Sequence, residues 1–271
     1  MPKEKRKKVF YYNDEINDDF AGTSIRPCIV DEHFKYLHQS RIWNLCAFLV
    51  YYIIAFPLVW VFERVILRVR FVNKKAVKEF RDTPYFLYGN HTGWIDAFTP
   101  NLISLPRRNR IIVAADTVSI KGLKNITQML GAVPVPTNLK GMKNFARAVD
   151  FHHQRCNITI YPEAHIWPYY TGVRPFSDVS FSYAVKHKCP VFAFFTAYTA
   201  PKGFLSHFRK ANITVYVSDA FFPDEGLSDR EARKDLRDKV YRFMLEKSKF
   251  SDYAVIEYIP KDQQQHSTAS L

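Results

Sequence analysis

Residues 85–96 read Tyr-Phe-Leu-Tyr-Gly-Asn-His-Thr-Gly-Trp-Ile-Asp. The apolar run Tyr85–Tyr88 is too short for a helix, and a glycine bounds it, so it reads as a strand buried on both faces. Gly89 and Gly93 permit a tight turn after it. His91 and Asp96, separated by four residues, then stand at the strand's end. A carboxylate in that place can keep one ring nitrogen protonated and leave the other free to take a proton. The same spacing also serves a structural histidine, and this stretch alone leaves both readings open.

Working outward, further short apolar runs occur at Arg110–Ala114, Ala132–Val135, Asn157–Tyr161, Val191–Thr196 and Ile213–Val217. Helical patterns separate them. Met142, Phe145, Ala146 and Val149 form an apolar stripe within Met142–Arg155. Leu236, Val240, Phe243 and Met244 do so within Ser228–Lys247, with Ser228 and Glu231 spaced as a capping box. The alternation predicts an α/β fold, a mixed, mostly parallel sheet flanked by helices. His152 and His153 fall near a helix end and are expected to be solvated there.

A second strand also runs into a chemistry-bearing turn. Residues 160–168 read Ile-Tyr-Pro-Glu-Ala-His-Ile-Trp-Pro. Ligands of open α/β sheets gather beyond the carboxyl ends of the strands, so Glu163 can converge with His91 and Asp96 on one site. An exposed turn carboxylate is the alternative for Glu163, and a turn or core histidine is the expectation for His165.

Residues 42–62 read IWNLCAFLVYYIIAFPLVWVF, without a single charge. Roughly 20 apolar residues cross the hydrocarbon core as a helix. Pro57 predicts a bend. Basic residues stand on both sides, Lys35 and Arg41 before and Arg64, Arg68 and Arg70 after. That symmetry gives no orientation by the positive-inside rule. A helix lying in one leaflet beside anionic lipid and a single span both remain open. The chain therefore divides into a polar N-terminal arm at 1–40, expected to be loosely attached, a membrane-associated hydrophobic helix and basic extension at 41–79, a main domain at 80–260, and a disordered tail at 261–271.

The 271 residues are 47% apolar and 16% aromatic, which excludes a disordered chain. With 39 Lys and Arg against 26 Asp and Glu, the net charge is +13, and the partner implied is anionic. Nucleic acid is not expected, because no binding motif accompanies the charge and a lipid surface accounts for it. Cys28, Cys46, Cys156 and Cys189 are scattered, without metal-ligand or disulfide-framework spacing. Four Asn-x-Ser/Thr matches, at Asn90, Asn125, Asn157 and Asn212, carry no weight on a cytoplasmic face.

Taken together, these blocks resemble the glycerolipid acyltransferases typified by 1-acylglycerol-3-phosphate acyltransferase. His91 and Asp96 are similar to the family's His-x4-Asp motif. Ala114-Ala115-Asp116 through Gly131 occupies the place of its second block. Tyr161-Pro162-Glu163 resembles its aromatic-Pro-Glu motif, and Cys189-Pro190-Val191 stands where its apolar Pro motif falls. The resemblance spans roughly residues 85–196, in the family's order. It implies acyl transfer from a thioester, acyl-CoA or acyl carrier protein, to the hydroxyl of a lysophospholipid at a membrane. The acceptor expected first is 1-acylglycerol-3-phosphate, and the catalytic domain is expected on the cytoplasmic face. His91 would act as general base and Asp96 would orient it. Glu163 would position the acceptor, with no metal or cofactor required.

The sequence departs from the family in two places. An arginine usually follows the glycine matching Gly131, where Thr137 stands here. The Pro-Glu pair is usually followed by Gly, a small hydroxyl residue and Arg, but here by Ala164, His165 and Ile166. Lys140, Lys143 and Arg174 are nearby cations that could take over the acceptor phosphate, and Lys140 and Arg174 are the substrate-binding candidates. A different lysolipid acceptor and a non-catalytic membrane-binding protein are the competing expectations.

Overall fold

A computed structural model describes residues 8–22, 25–120, 122–201 and 210–262. Seven strands form the central sheet: β2 (Arg70–Val72), β3 (Phe86–Gly89), β4 (Asn109–Val113), β5 (Ala132–Pro134), β6 (Asn157–Ile160), β7 (Val191–Thr199) and β8 (Asn212–Val217). Their order is β2-β8-β7-β3-β6-β4-β5, and among the described strands of this sheet β7 with β8 is the antiparallel pair. Each expected strand is present, to within a few residues at its ends.

The central strands are apolar throughout because both faces are covered. Along β3, Phe86 and Tyr88 enter one hydrophobic cluster, while Tyr85 and Leu87 enter the other. Helix Asp229–Ser248 supplies Leu236, Val240 and Met244 to the first cluster. Its start is fixed as expected: Ser228 Oγ accepts from the Glu231 N–H and the Glu231 carboxylate accepts from the Ser228 N–H.

The apolar stretch forms one continuous helix, Arg41–Ile66. Its turns widen to the π type over Leu49–Ala55, just before Pro57. Proline has no N–H to give the preceding turn, and wider turns are one way a helix absorbs that loss. One side of this helix packs on the domain through Ala47, Tyr51 and Glu63, all buried. Ile42, Leu45, Ile53, Ile54, Leu58 and Trp60 on the other side are exposed.

Three expectations are corrected. Over its described residues, 8–22 and 25–40, the N-terminal arm is packed rather than loose. Strand β1 (Lys8–Tyr12) pairs in parallel with β9 (Ile256–Pro260), and Val30, Phe34 and Tyr36 join the main core. Its apolar residues are few but aromatic, so each buries a large area. His152 and His153 are buried, 8% and 5% exposed, rather than solvated. They lie on the inner side of helix Met142–His153 with Phe145 and Val149, and His153 stacks on Phe86 at 4.5 Å. Gly93 has an extended backbone (φ 179°) that any residue adopts. Gly89 is the glycine that matters, because a Cβ there would meet the Phe194 ring at 2.1 Å. Of the expected disordered tail at 261–271, Lys261 and Asp262 are helical, and 263–271 lie outside the described residues.

Candidate active site

Strands β3 and β6 are neighbours, with Tyr88 opposite Ile160. Three residues further along each strand, the same register sets His91 against Glu163. This is why two motifs 72 residues apart converge on the carboxyl edge of the sheet.

His91 Nδ1 lies 2.9 Å from Asp96 Oδ2. That oxygen also accepts from the N–H groups of Thr92 (2.7 Å) and Gly93 (2.9 Å). An oxygen already receiving two donors is an acceptor for the third, so His91 Nδ1 carries a proton and donates it to Asp96. The Asp96 side chain is 1% exposed, while that of His91 is 18% exposed and open to an approaching molecule.

The turn is tied from every side. Asn90 is fully buried and behaves as a surrogate strand residue: its Oδ1 accepts from Thr196 N and its Nδ2 donates to Thr196 O. Thr92 Oγ1 is 2.9 Å from Tyr198 OH. Trp167 N donates to His91 O, and Tyr169 N donates to Thr92 O. The Tyr161 ring stacks on the His91 imidazole at 4.4 Å, and its hydroxyl donates to the backbone carbonyl of Asp96. The N–H groups of His91, Thr92 and Gly93 all serve carboxylates.

Glu163 is buried behind the histidine. Its Oε2 accepts from His91 N at 3.4 Å and its Oε1 from Arg174 N at 3.2 Å. The Arg174 guanidinium is 3.4 Å from Oε2. Burial pushes the Glu163 carboxyl up from its ordinary value, and the Arg174 cation opposes that rise. Glu163 thus contacts the backbone of the histidine turn rather than the open edge.

The candidate cations take other places. Arg174 is 1% exposed and is engaged by Glu163 and by the carbonyls of Glu15 and His165. A guanidinium sealed in this way does not meet a substrate phosphate, so the expectation for Arg174 changes to one of holding Glu163. Lys140 is exposed beyond β5, the third strand from β3, and Lys143 is exposed as well. His165 is in the turn, its Nδ1 3.6 Å from Asp19 Oδ2. Thr137 and Ile166, which stand where the family that this sequence resembles has arginines, both hold the N-terminal arm: Thr137 N donates to Val30 O, and Phe20 N donates to Ile166 O.

Sequence reasoning missed Tyr161, Thr92, Tyr198 and Glu63. Glu63 is fully buried, and its carboxylate accepts from Thr99 Oγ1 at 3.1 Å, three residues after Asp96. The available signal was a lone acid directly after 21 uncharged residues. Among the described residues no group of His, Cys, Asp and Glu has a metal-binding arrangement.

Residues 68–196 match a family model described as Acyltransferase. No curated protein matches the chain. Among solved structures, the chain is similar to the 1-acyl-sn-glycerophosphate acyltransferase PlsC from Thermotoga maritima, with a TM-score of 0.51 and 17% identity over 78% of this chain and 84% of that one. Residues 68–196 therefore resemble an acyltransferase domain, and the chain has a PlsC-like fold.

Proposed function

We propose that this enzyme moves a fatty acyl group from an acyl thioester, acyl-CoA or acyl carrier protein, to the free hydroxyl of a lysolipid at a membrane surface. The observation that carries the proposal is the His91–Asp96 contact of 2.9 Å, with the histidine side chain 18% exposed and the aspartate closed to solvent behind it.

Nε2 of His91 takes the proton of the acceptor hydroxyl as its oxygen attacks the thioester carbonyl. The tetrahedral adduct collapses, the carbon–sulfur bond breaks, and the proton on Nε2 passes to the leaving thiolate. Asp96 holds the tautomer and stabilises the imidazolium formed in between. Positioned general-base catalysis of this kind contributes roughly 10²–10⁴-fold. Glu163 holds the histidine turn from below. Donors to the oxyanion come from outside the 91–93 turn, whose N–H groups are engaged.

The same reading places helix Arg41–Ile66 along the bilayer plane. Tyr51 hydrogen-bonds Asn101 and Asn109, and at the far end Phe62 packs on Trp94 and Glu63 holds Thr99. A helix attached to the domain along its length cannot cross the bilayer upright without carrying polar protein into hydrocarbon. Its exposed apolar side enters one leaflet instead, on the cytoplasmic face.

The first acceptor is 1-acylglycerol-3-phosphate, which would give phosphatidic acid. A second reading, an acceptor with another headgroup, is favoured by the sealing of Arg174 and the use of Thr137 and Ile166 to hold the arm. The test is the detergent-purified full chain with labelled acyl-CoA or labelled acyl carrier protein and a panel of lysolipids, alongside His91→Ala. Labelled diacyl product from the wild type only is expected. No acyl transfer to any lysolipid from either thioester donor defeats the proposal, and the product formed chooses between the acceptors.

A further inference from the structure

At the opposite edge of the sheet from His91, a cleft of about 170 Å³ opens where β4 and β6 begin. Arg108, Arg110 and Arg155 line it, together with His38, His152 and Gln128, and no aspartate or glutamate is among its lining residues. Among the described residues, these three arginines take part in none of the ion pairs formed. Arg108 and Arg110 donate only to the backbone carbonyls of Met129 and Gln128, and their Nε groups are buried without a partner. Three guanidinium groups gathered without a counter-charge repel one another unless an anion joins them. Neighbouring groups register that field: burial, then Arg110 and Arg108, push the His152 imidazole down to about 3.

The cleft lies at the start of the apolar helix. Trp43 and Asn44 form part of its wall, and the Trp43 ring stacks on His38 at 3.7 Å. Tryptophan at a helix end, beside arginines, is the arrangement that sits at the headgroup level of a bilayer. The volume is well below the roughly 300–1,000 Å³ of pockets that enclose a whole drug-sized ligand. It suits one phosphoryl group and not a nucleotide.

We propose that this cleft binds a phosphate group, as a lipid phosphodiester or as soluble phosphate, at a site separate from the acyl-transfer centre. With a lipid headgroup, it anchors the start of the helix while the other end of the helix lies beside Asp96.

The test uses the full chain and measures binding only, so its outcome is independent of acyl transfer. Partition into phosphatidylcholine vesicles with and without phosphatidylglycerol is compared for the wild type, Arg108→Gln/Arg110→Gln and Arg155→Glu. Arg155 is exposed, so its variant tests the site even where the double variant fails to fold. Arg230→Gln/Lys234→Gln, on an exposed turn of another helix, is the charge-matched control for the double variant. The cleft variants should lose about tenfold of the gain from phosphatidylglycerol and the control less than about twofold. In a second arm, inorganic phosphate is titrated against the melting temperature. A rise in the wild type that Arg155→Glu lacks identifies soluble phosphate as a ligand, and variant-specific loss in the vesicle arm alone identifies the lipid. Equal losses in cleft variants and control, or no variant-specific loss in either arm, overturn the proposal.

Discussion

The Arg174 guanidinium lies 3.4 Å from the Glu163 carboxylate, with both side chains closed to solvent. A buried ion pair of this kind contributes little over an apolar replacement of both partners, but losing one partner leaves an uncompensated charge, at a cost of about 3–5 kcal/mol. Arg174→Met should therefore lower the melting temperature by roughly 10 °C, at about 2–4 °C per kcal/mol for a domain of this size. Adding Glu163→Gln should recover part of the loss. Calorimetry of the two single variants and the double checks this. An unchanged melting temperature with a raised KM for a phosphate-bearing acceptor would return Arg174 to the role of substrate contact.

Ala164 directly follows Glu163 and has φ +63°. A Cβ in the left-handed region costs about 1–2 kcal/mol, which glycine avoids. The acyltransferases that this sequence resembles place glycine here. Ala164→Gly should raise stability by about 1 kcal/mol, less than the full relief because glycine also frees the unfolded chain. The urea midpoint measures it, and a fall in that midpoint would contradict the strain argument.

The hydroxyl of Tyr161 donates to the carbonyl of Asp96 while its ring stacks on His91. Tyr161→Phe keeps the stacking and removes the anchor. A lost hydrogen bond of about 1 kcal/mol, felt at the base and its orienter, predicts a fall in kcat of about fivefold with KM unchanged. Steady-state kinetics on the best acceptor decides, and a change in KM alone would show that Tyr161 contacts substrate instead.

The parts of this site that follow a strand were legible in the sequence. His91, Asp96 and Glu163 stand at the ends of apolar runs, and parallel neighbours bring such ends to one edge. Arg174 was misread because its partner lies across an irregular loop, where no periodicity links residues eleven apart. The arm was misread because charged residues outnumber the few aromatics, Phe10, Tyr12 and Phe20, that fix it against Trp167 and Tyr258. His152 was within reach: it falls three residues after Val149, on the stripe begun by Phe145, so its burial followed from helical spacing. Glu63 was hidden by the habit of reading a charge as the end of a buried segment.

Two buried histidines should make the fold sensitive to acid. His152 is pushed down to about 3 and His153 to about 4, in each case chiefly by burial, against an unfolded value near 6.5. Below pH 6.5 the unfolded chain binds protons that the folded chain refuses. The stabilising contribution is therefore complete above pH 6.5 and is lost as pH falls toward 4, by up to about 1.4 kcal/mol per pH unit for each site. Raising the pH above 7 should add nothing from these groups. Urea unfolding between pH 7.5 and 4.5 should show this slope, and His152→Gln/His153→Gln should flatten it, because glutamine takes up no proton in either state. An equal slope in the double variant would assign the acid sensitivity to the carboxylates instead.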